Sequence, residues 1–273
     1  MRLSLATWSL HPLLFQQPRT LEYLDVPALV RERWGLDALE LNNLFFVSRE
    51  PAYLRQFAAA AHRAQMSLLN MAVDEKADLC SADPAAAQQA VALYGQWIPV
   101  AADLGMTAIR ANTGGREIAD TGPDDPVRLA AEQRCIDGLR RLCDLGSPRG
   151  VAILVENHRG LSSDPDSVVR LMNAVRQSHG ADACGTVVDW GNWPDTVDRW
   201  SAIAKVLPFA MAVHAKIKAI GEDLSHPAFD LARCVEITRA AGYTGHLGIE
   251  YEGGGDALTG VDRAVRKLRE LVG

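Results

Sequence analysis

Short apolar runs alternate with longer amphipathic stretches from one end of the chain to the other, a rhythm that predicts repeated βα units. The apolar runs predict strands at Leu3–Thr7, Ala38–Leu41, Ser67–Met71, Thr107–Ala111, Val151–Glu156, Gly185–Asp189, Ala210–His214 and Leu247–Tyr251. The amphipathic stretches, rich in alanine and arginine, predict helices at Val26–Trp34, Ala52–Gln65, Pro84–Leu104, Pro126–Leu145, Asp164–Gln177, Val197–Val206, Phe229–Ala240 and Asp256–Leu271. Glycines stand just past several of them, at Gly35, Gly105, Gly146 and Gly242, as expected at helix ends. Eight strands, each followed by a helix, in about 250 residues is the arithmetic of an α/β protein of the (β/α)8 TIM-barrel type. A doubly wound open sheet would be large for so many alternations, and no GxGxxG opens a first helix. With no linker or low-complexity run, residues 1–273 are expected to form a single domain.

Composition narrows the function without naming it. The 273 residues are 48% hydrophobic, enough for one large core, and the formal net charge is -6. An acidic chain without a basic stripe offers nothing to a phosphate backbone, so nucleic acid is not an expected partner. The five cysteines are odd in number, scattered and free of CxxC pairs, which suggests neither a disulfide framework nor a structural zinc site. The opening MRLSLATWSLHP lacks a signal peptide's apolar core, and no run approaches the roughly 20 apolar residues of a membrane span. A cytoplasmic protein with no membrane partner is expected.

The chemistry is concentrated at the strand ends. In ILVENHRG, Ile153 to Gly160, an apolar run passes straight into Glu156, Asn157, His158 and Arg159. Burying a carboxylate there is costly unless something pairs with it. The last four strands each end in a potential metal ligand, Glu156, Asp189, His214 and Glu250, separated by 33, 25 and 36 residues, about one βα unit each. In a closed barrel the four would converge, and three carboxylates so close would raise one another's pKa unless a cation neutralised them. One divalent ion is therefore expected. Three oxygens and one nitrogen favour manganese first, with magnesium, cobalt and zinc as alternatives.

Each residue also has a plainer reading. Glu40 could touch substrate or pair with a floor arginine such as Arg110. Asp189 could be merely an N-cap for the next helix, and His214 alone could be a hydrogen-bonded core histidine. His158, two residues from Glu156, should face the same side and could act as a base or support a ligand carboxylate. Lys216 and Lys218 alternate onto the face of His214, where a lysine could bind a substrate oxygen or merely be solvated. Trp8, Asn70, Asn112 and Trp190 complete the candidate substrate contacts, the last with Trp193 equally suited to the core. Arg116 and Arg159 invite a carboxylate or phosphate, or simply solvent.

VENH at Val155–His158, VVDWGN at Val187–Asn192, VHAKIK at Val213–Lys218 and GYTGHLGIEYEG at Gly242–Gly253 together resemble the xylose isomerase-like barrel superfamily, in particular its sugar phosphate isomerase/epimerase branch. The resemblance implies that Glu156, Asp189, His214 and Glu250 bind one divalent ion. It further implies that Glu156 and Glu250 exchange protons on opposite faces of a keto sugar. The expected activity is isomerisation or epimerisation of a small keto sugar or polyol derivative, by proton transfer through an enediolate whose charge the ion stabilises. Two positions depart from the epimerase pattern, Asn192 in place of a histidine and Ile220 in place of an arginine. With His158, which resembles the base of metal-dependent dehydratases and 3-keto-glycoside lyases, they make a lyase the alternative; a non-catalytic ligand-binding barrel is the alternative of another class. An apurinic endonuclease of the superfamily needs histidines where this chain has Asn70, Asn112 and Asn192. A small carbohydrate-like substrate is the expected partner, with a homo-oligomer left open.

Overall fold

In the computed structural model, which describes residues 1–16, 18–118 and 121–273, eight strands close into one parallel barrel in sequence order. They are β1 (Arg2–Ala6), β2 (Ala38–Asn42), β3 (Ser67–Val73), β4 (Ala108–Ala111), β5 (Ala152–Glu156), β6 (Cys184–Asp189), β7 (Ala210–Ile217) and β8 (His246–Tyr251). β8 pairs back onto β1, so no sheet edge is left to template aggregation. A single (β/α)8 TIM barrel is therefore the fold.

Two strands outrun their sequence bounds by two residues or more. β3 continues to Val73, which moves its rim from Asn70 to Asp74, and β7 continues to Ile217, which takes Lys216 into the strand with His214. The stretch expected as one helix, Pro84–Leu104, is two, Pro84–Gly95 and Ile98–Asp103. Pro99 explains the break: without an N–H it cannot continue a helix, but it suits the first turn of a new one. Aspartates set most later helix starts, with Asp125, Asp164, Asp198, Asp230 and Asp256 accepting backbone N–H groups of the first turn.

Alternation along the strands sorts residues into two compartments. Outward residues such as Leu5, Leu39, Ile153, Val188 and Val213 join the large core beneath the helices. Inward residues at the floor, Ala108, Ala152, Leu154, Val187 and Ala212, form a separate small cluster. Above it the interior turns polar. Glu40 crosses the barrel towards β7, and Gly248 on β8 makes that crossing feasible, lying between Ser4 of β1 and His214 of β7 in register. A Cβ there would stand 2.3 Å from Glu40 Oε1 and 2.9 Å from His214 Cδ2.

Gly248→Ala should therefore destabilise the protein by about 1–3 kcal/mol, the usual cost of overpacking, read as a lower denaturation midpoint at unchanged slope. An unchanged midpoint would show that the polar layer has slack where the structure has none.

Candidate metal centre and active site

Glu156, Asp189, His214 and Glu250 meet at the carboxyl ends of β5 to β8, with one potential ligand atom from each lying within 4.8 Å of all the others. All four are buried, Asp189 completely. Among the described residues Asp189 Oδ2 and His214 Nδ1 make no hydrogen bond, and Glu250 Oε2 has only the Lys216 ammonium, at 2.8 Å. Orphaned polar atoms in the dry interior are rare because each forfeits its solvation. These three atoms, from two carboxylates and an imidazole, fit a cation as their common partner.

Glu156, Asp189 and His214 are oriented by hydrogen bonds or ion pairs from behind. His214 Nε2 lies 2.8 Å from Glu40 Oε2; a carboxylate only accepts, so Nε2 carries the proton and Nδ1 turns to the cluster. Glu40 is fixed by Ser4 Oγ at 2.6 Å and Asn70 Nδ2 at 2.8 Å. Burial opposes its ionisation, but the His214 charge and these three hydrogen bonds prevail and hold its pKa below the usual carboxylate value. Asp189 does not cap the next helix, which Asp198 caps; its Oδ1 instead accepts from the N–H groups of Gly191 and Asn192 in the turn after β6, and Oδ2 makes no hydrogen bond among the described residues. Glu156 accepts from Asn192 Nδ2 through Oε1 at 3.0 Å, and its Oε2 lies 3.0 Å from Arg110 Nε.

The charges show the strain of assembling these groups. Burial pushes the Asp189 carboxyl well above its usual pKa, with Glu250 and Glu156 adding to it against Lys216. Glu250 moves the other way: burial opposes ionisation, yet Lys216 and His214 hold it well below. Burial likewise disfavours the His214 cation, but Glu40 and Glu250 outweigh it and raise its pKa well above the usual value. A proton on Nδ1 and a metal ion are alternatives for this imidazole.

A cavity of about 660 Å³ opens above the cluster, of the size that suits a small-molecule ligand. Glu156, Glu250, His158, Asn112, Lys216 and Trp8 all line it. Trp8 donates from Nε1 to Glu252 at 2.7 Å and stacks on His11 and Phe45. His158 Nδ1 is 3.4 Å from Asn112 Oδ1. Burial, reinforced by Arg110 and Lys216 against the pull of Glu156, lowers the His158 pKa and keeps the ring neutral at neutral pH. The exposed residues Lys76, Arg116 and Arg159 line the outer part.

Three candidate substrate residues lie elsewhere. Glu40 and Asn70 sit below the cluster as supports of His214, because β2 and β3 contribute them one layer deeper than the rim. Trp190 is fully buried outside the cavity, since it follows Asp189 with opposite side-chain parity and joins the helix-covered core. Arg110 does not pair with Glu40; it bridges Asp74 Oδ1 at 2.8 Å and Glu156. Asp74 was not anticipated as part of the site. Although burial opposes it, Arg110 and Asn42 lower its pKa to about 2. Its signal was the switch from apolar Ala72 and Val73 to Asp74, Glu75 and Lys76, which marks the true end of β3.

No curated protein matches this sequence. Among solved structures, a D-tagatose 3-epimerase-like protein superposes with a TM-score of 0.74 at 15% identity, covering 100% of this chain and 98% of the other. The 3-keto-D-glucoside 4-epimerase of E. coli gives 0.74 at 13% identity, covering 100% and 99%. A D-psicose 3-epimerase from Clostridium cellulolyticum gives 0.71 at 16% identity, covering 100% and 97%. At such identities the likeness is one of fold. The sequence itself carries the assignment, for residues 28–271 match the profile of the xylose isomerase-like TIM barrel, and the chain belongs to that family.

Proposed function

We propose that this protein is a divalent-metal-dependent isomerase or epimerase of a small keto sugar or polyol derivative. The observation that carries the proposal is the convergence of four buried potential ligand atoms, from Glu156, Asp189, His214 and Glu250, at the base of a sugar-sized cavity. The epimerase names of the structural neighbours lend it support. Glu156, Asp189, His214 and Glu250 would hold the ion, manganese first by the hardness of the donor set. When bound, it would polarise a carbonyl and stabilise the charge that develops as the neighbouring proton leaves.

The residues of the chain divide the remaining work. Trp8 offers an aromatic face to the sugar, and Asn112 and Lys216 offer donors to its oxygens. Glu250 and Glu156 stand on separate strands, so a proton can leave one face of a carbon and return to the other or to its neighbour. Arg110 and Asn192 engage both oxygens of Glu156, and Lys216 engages Oε2 of Glu250.

A second reading draws on the same pairing. His158 is neutral and faces the cavity, and one ring nitrogen makes no hydrogen bond among the described residues. A base so placed suits a lyase, removing a proton beside a carbonyl while a hydroxyl or glycoside leaves from the next carbon.

With manganese in deuterated water, solvent deuterium should enter a ketose at the carbon beside the carbonyl, and Glu250→Gln should slow entry by about 10²-fold or more. No incorporation across a broad ketose panel would contradict the isomerase. His158→Gln should lower turnover without abolishing exchange; formation of a conjugated carbonyl, lost in that variant, would establish the lyase instead. Undiminished turnover in His158→Gln would remove the second reading.

A further inference from the structure

Lys216 enters the cluster itself. Its side chain is almost fully buried, and its Nζ lies 2.8 Å from Glu250 Oε2, 3.2 Å from Glu252 Oε1 and 3.8 Å from Asp189 Oδ2. Glu250 Oε2 and Asp189 Oδ2 are two of the atoms that face the metal centre. The strand register sets Lys216 of β7 directly beside Glu250 of β8. On the other flank Gly191 makes way for the stem, since a Cβ there would stand 2.7 Å from Lys216 Cγ and 2.8 Å from its Cβ. Glu252 differs from the other two carboxylates: it lies outside the ligand set, and Trp8 Nε1 holds its Oε1 at the cavity wall at 2.7 Å.

We propose that Lys216 is the built-in counter-cation of the metal-free centre, and that a divalent ion binds by displacing its ammonium from Asp189 and Glu250 onto Glu252. This rests on the metal-centre reading above and adds an exchange to it. An ammonium and a divalent ion cannot both occupy the same two oxygens, because like charges at that distance repel strongly where water is scarce. Without either, three buried carboxylates would repel one another. Lys216 thus keeps the metal-free barrel folded and weakens metal binding by the work of its own displacement. Once displaced, the ammonium stays at the cavity wall, where a substrate oxygen can meet it. Its release from Asp189 and Glu250 depends on loading, so the ammonium is free to meet a substrate only with the ion in place.

The test is manganese affinity, measured by calorimetry and by chelator competition on the full chain, with circular dichroism to verify folding. Lys216→Met should bind manganese at least tenfold more tightly than wild type, about 1.4 kcal/mol. It should also melt lower without metal and gain more on adding it. Glu252→Gln should weaken binding several-fold, because the displaced ammonium loses its second partner. That effect should vanish in the Lys216→Met background, which distinguishes the exchange from simple loss of a nearby negative charge. Folded Lys216→Met that binds no more tightly than wild type would overturn the exchange while leaving the metal centre standing. Should Lys216→Met fail to fold, a Glu252→Gln affinity equal to wild type would overturn it. No manganese binding in either wild type or Lys216→Met would remove the metal centre itself.

Discussion

The constraint on which the rest depends is the cost of bringing carboxylates together where water is scarce. Three acidic side chains and an imidazole are drawn into the barrel mouth within a few ångströms, and the chain alone does not fully satisfy them. Each unpaired buried charge disfavours the folded state until a cation is supplied. The opposite displacements of Asp189 and Glu250, one towards neutrality and the other towards charge, express that tension before any ion arrives.

The surroundings answer this constraint in layers. Ser4 and Asn70 hold Glu40, and Glu40 holds His214, so Nδ1 is aimed at the cluster by a chain of hydrogen bonds that begins on β1 and β3. Asn42 and Asn112 hold Asp74, Asp74 holds Arg110, and Arg110 restrains Glu156. Gly248 leaves the space that the first chain crosses, and Gly191 the space that Lys216 needs. Pre-organisation of this kind is what a centre needs if it is to bind an ion without rebuilding itself.

Much of this was legible before any coordinates. The alternation of apolar runs placed all eight strands near their observed bounds, and the 33-, 25- and 36-residue spacings brought the four ligand candidates to one rim, because a barrel repeats its geometry once per βα unit. What escaped the sequence depends on strand register and stagger. Asn70 and Glu40 read as rim residues but lie a layer deeper, and Asp74 takes the rim because β3 runs two residues further than its apolar core suggests. Lys216 was legible as a neighbour of His214. Its position against Glu250 follows only from the β7–β8 register, which no single strand encodes. Trp190 follows Asp189 in sequence, but strand alternation turns it outwards, and it is lost to the core.

Anomalous scattering from crystals grown with manganese tests the central claim most directly. The account predicts one strong peak bounded by Glu156, Asp189, His214 and Glu250, with Arg110 still on Glu156. Absence of a peak among these four at saturating manganese, with the Lys216 ammonium still seated between Glu250 and Asp189, would contradict it.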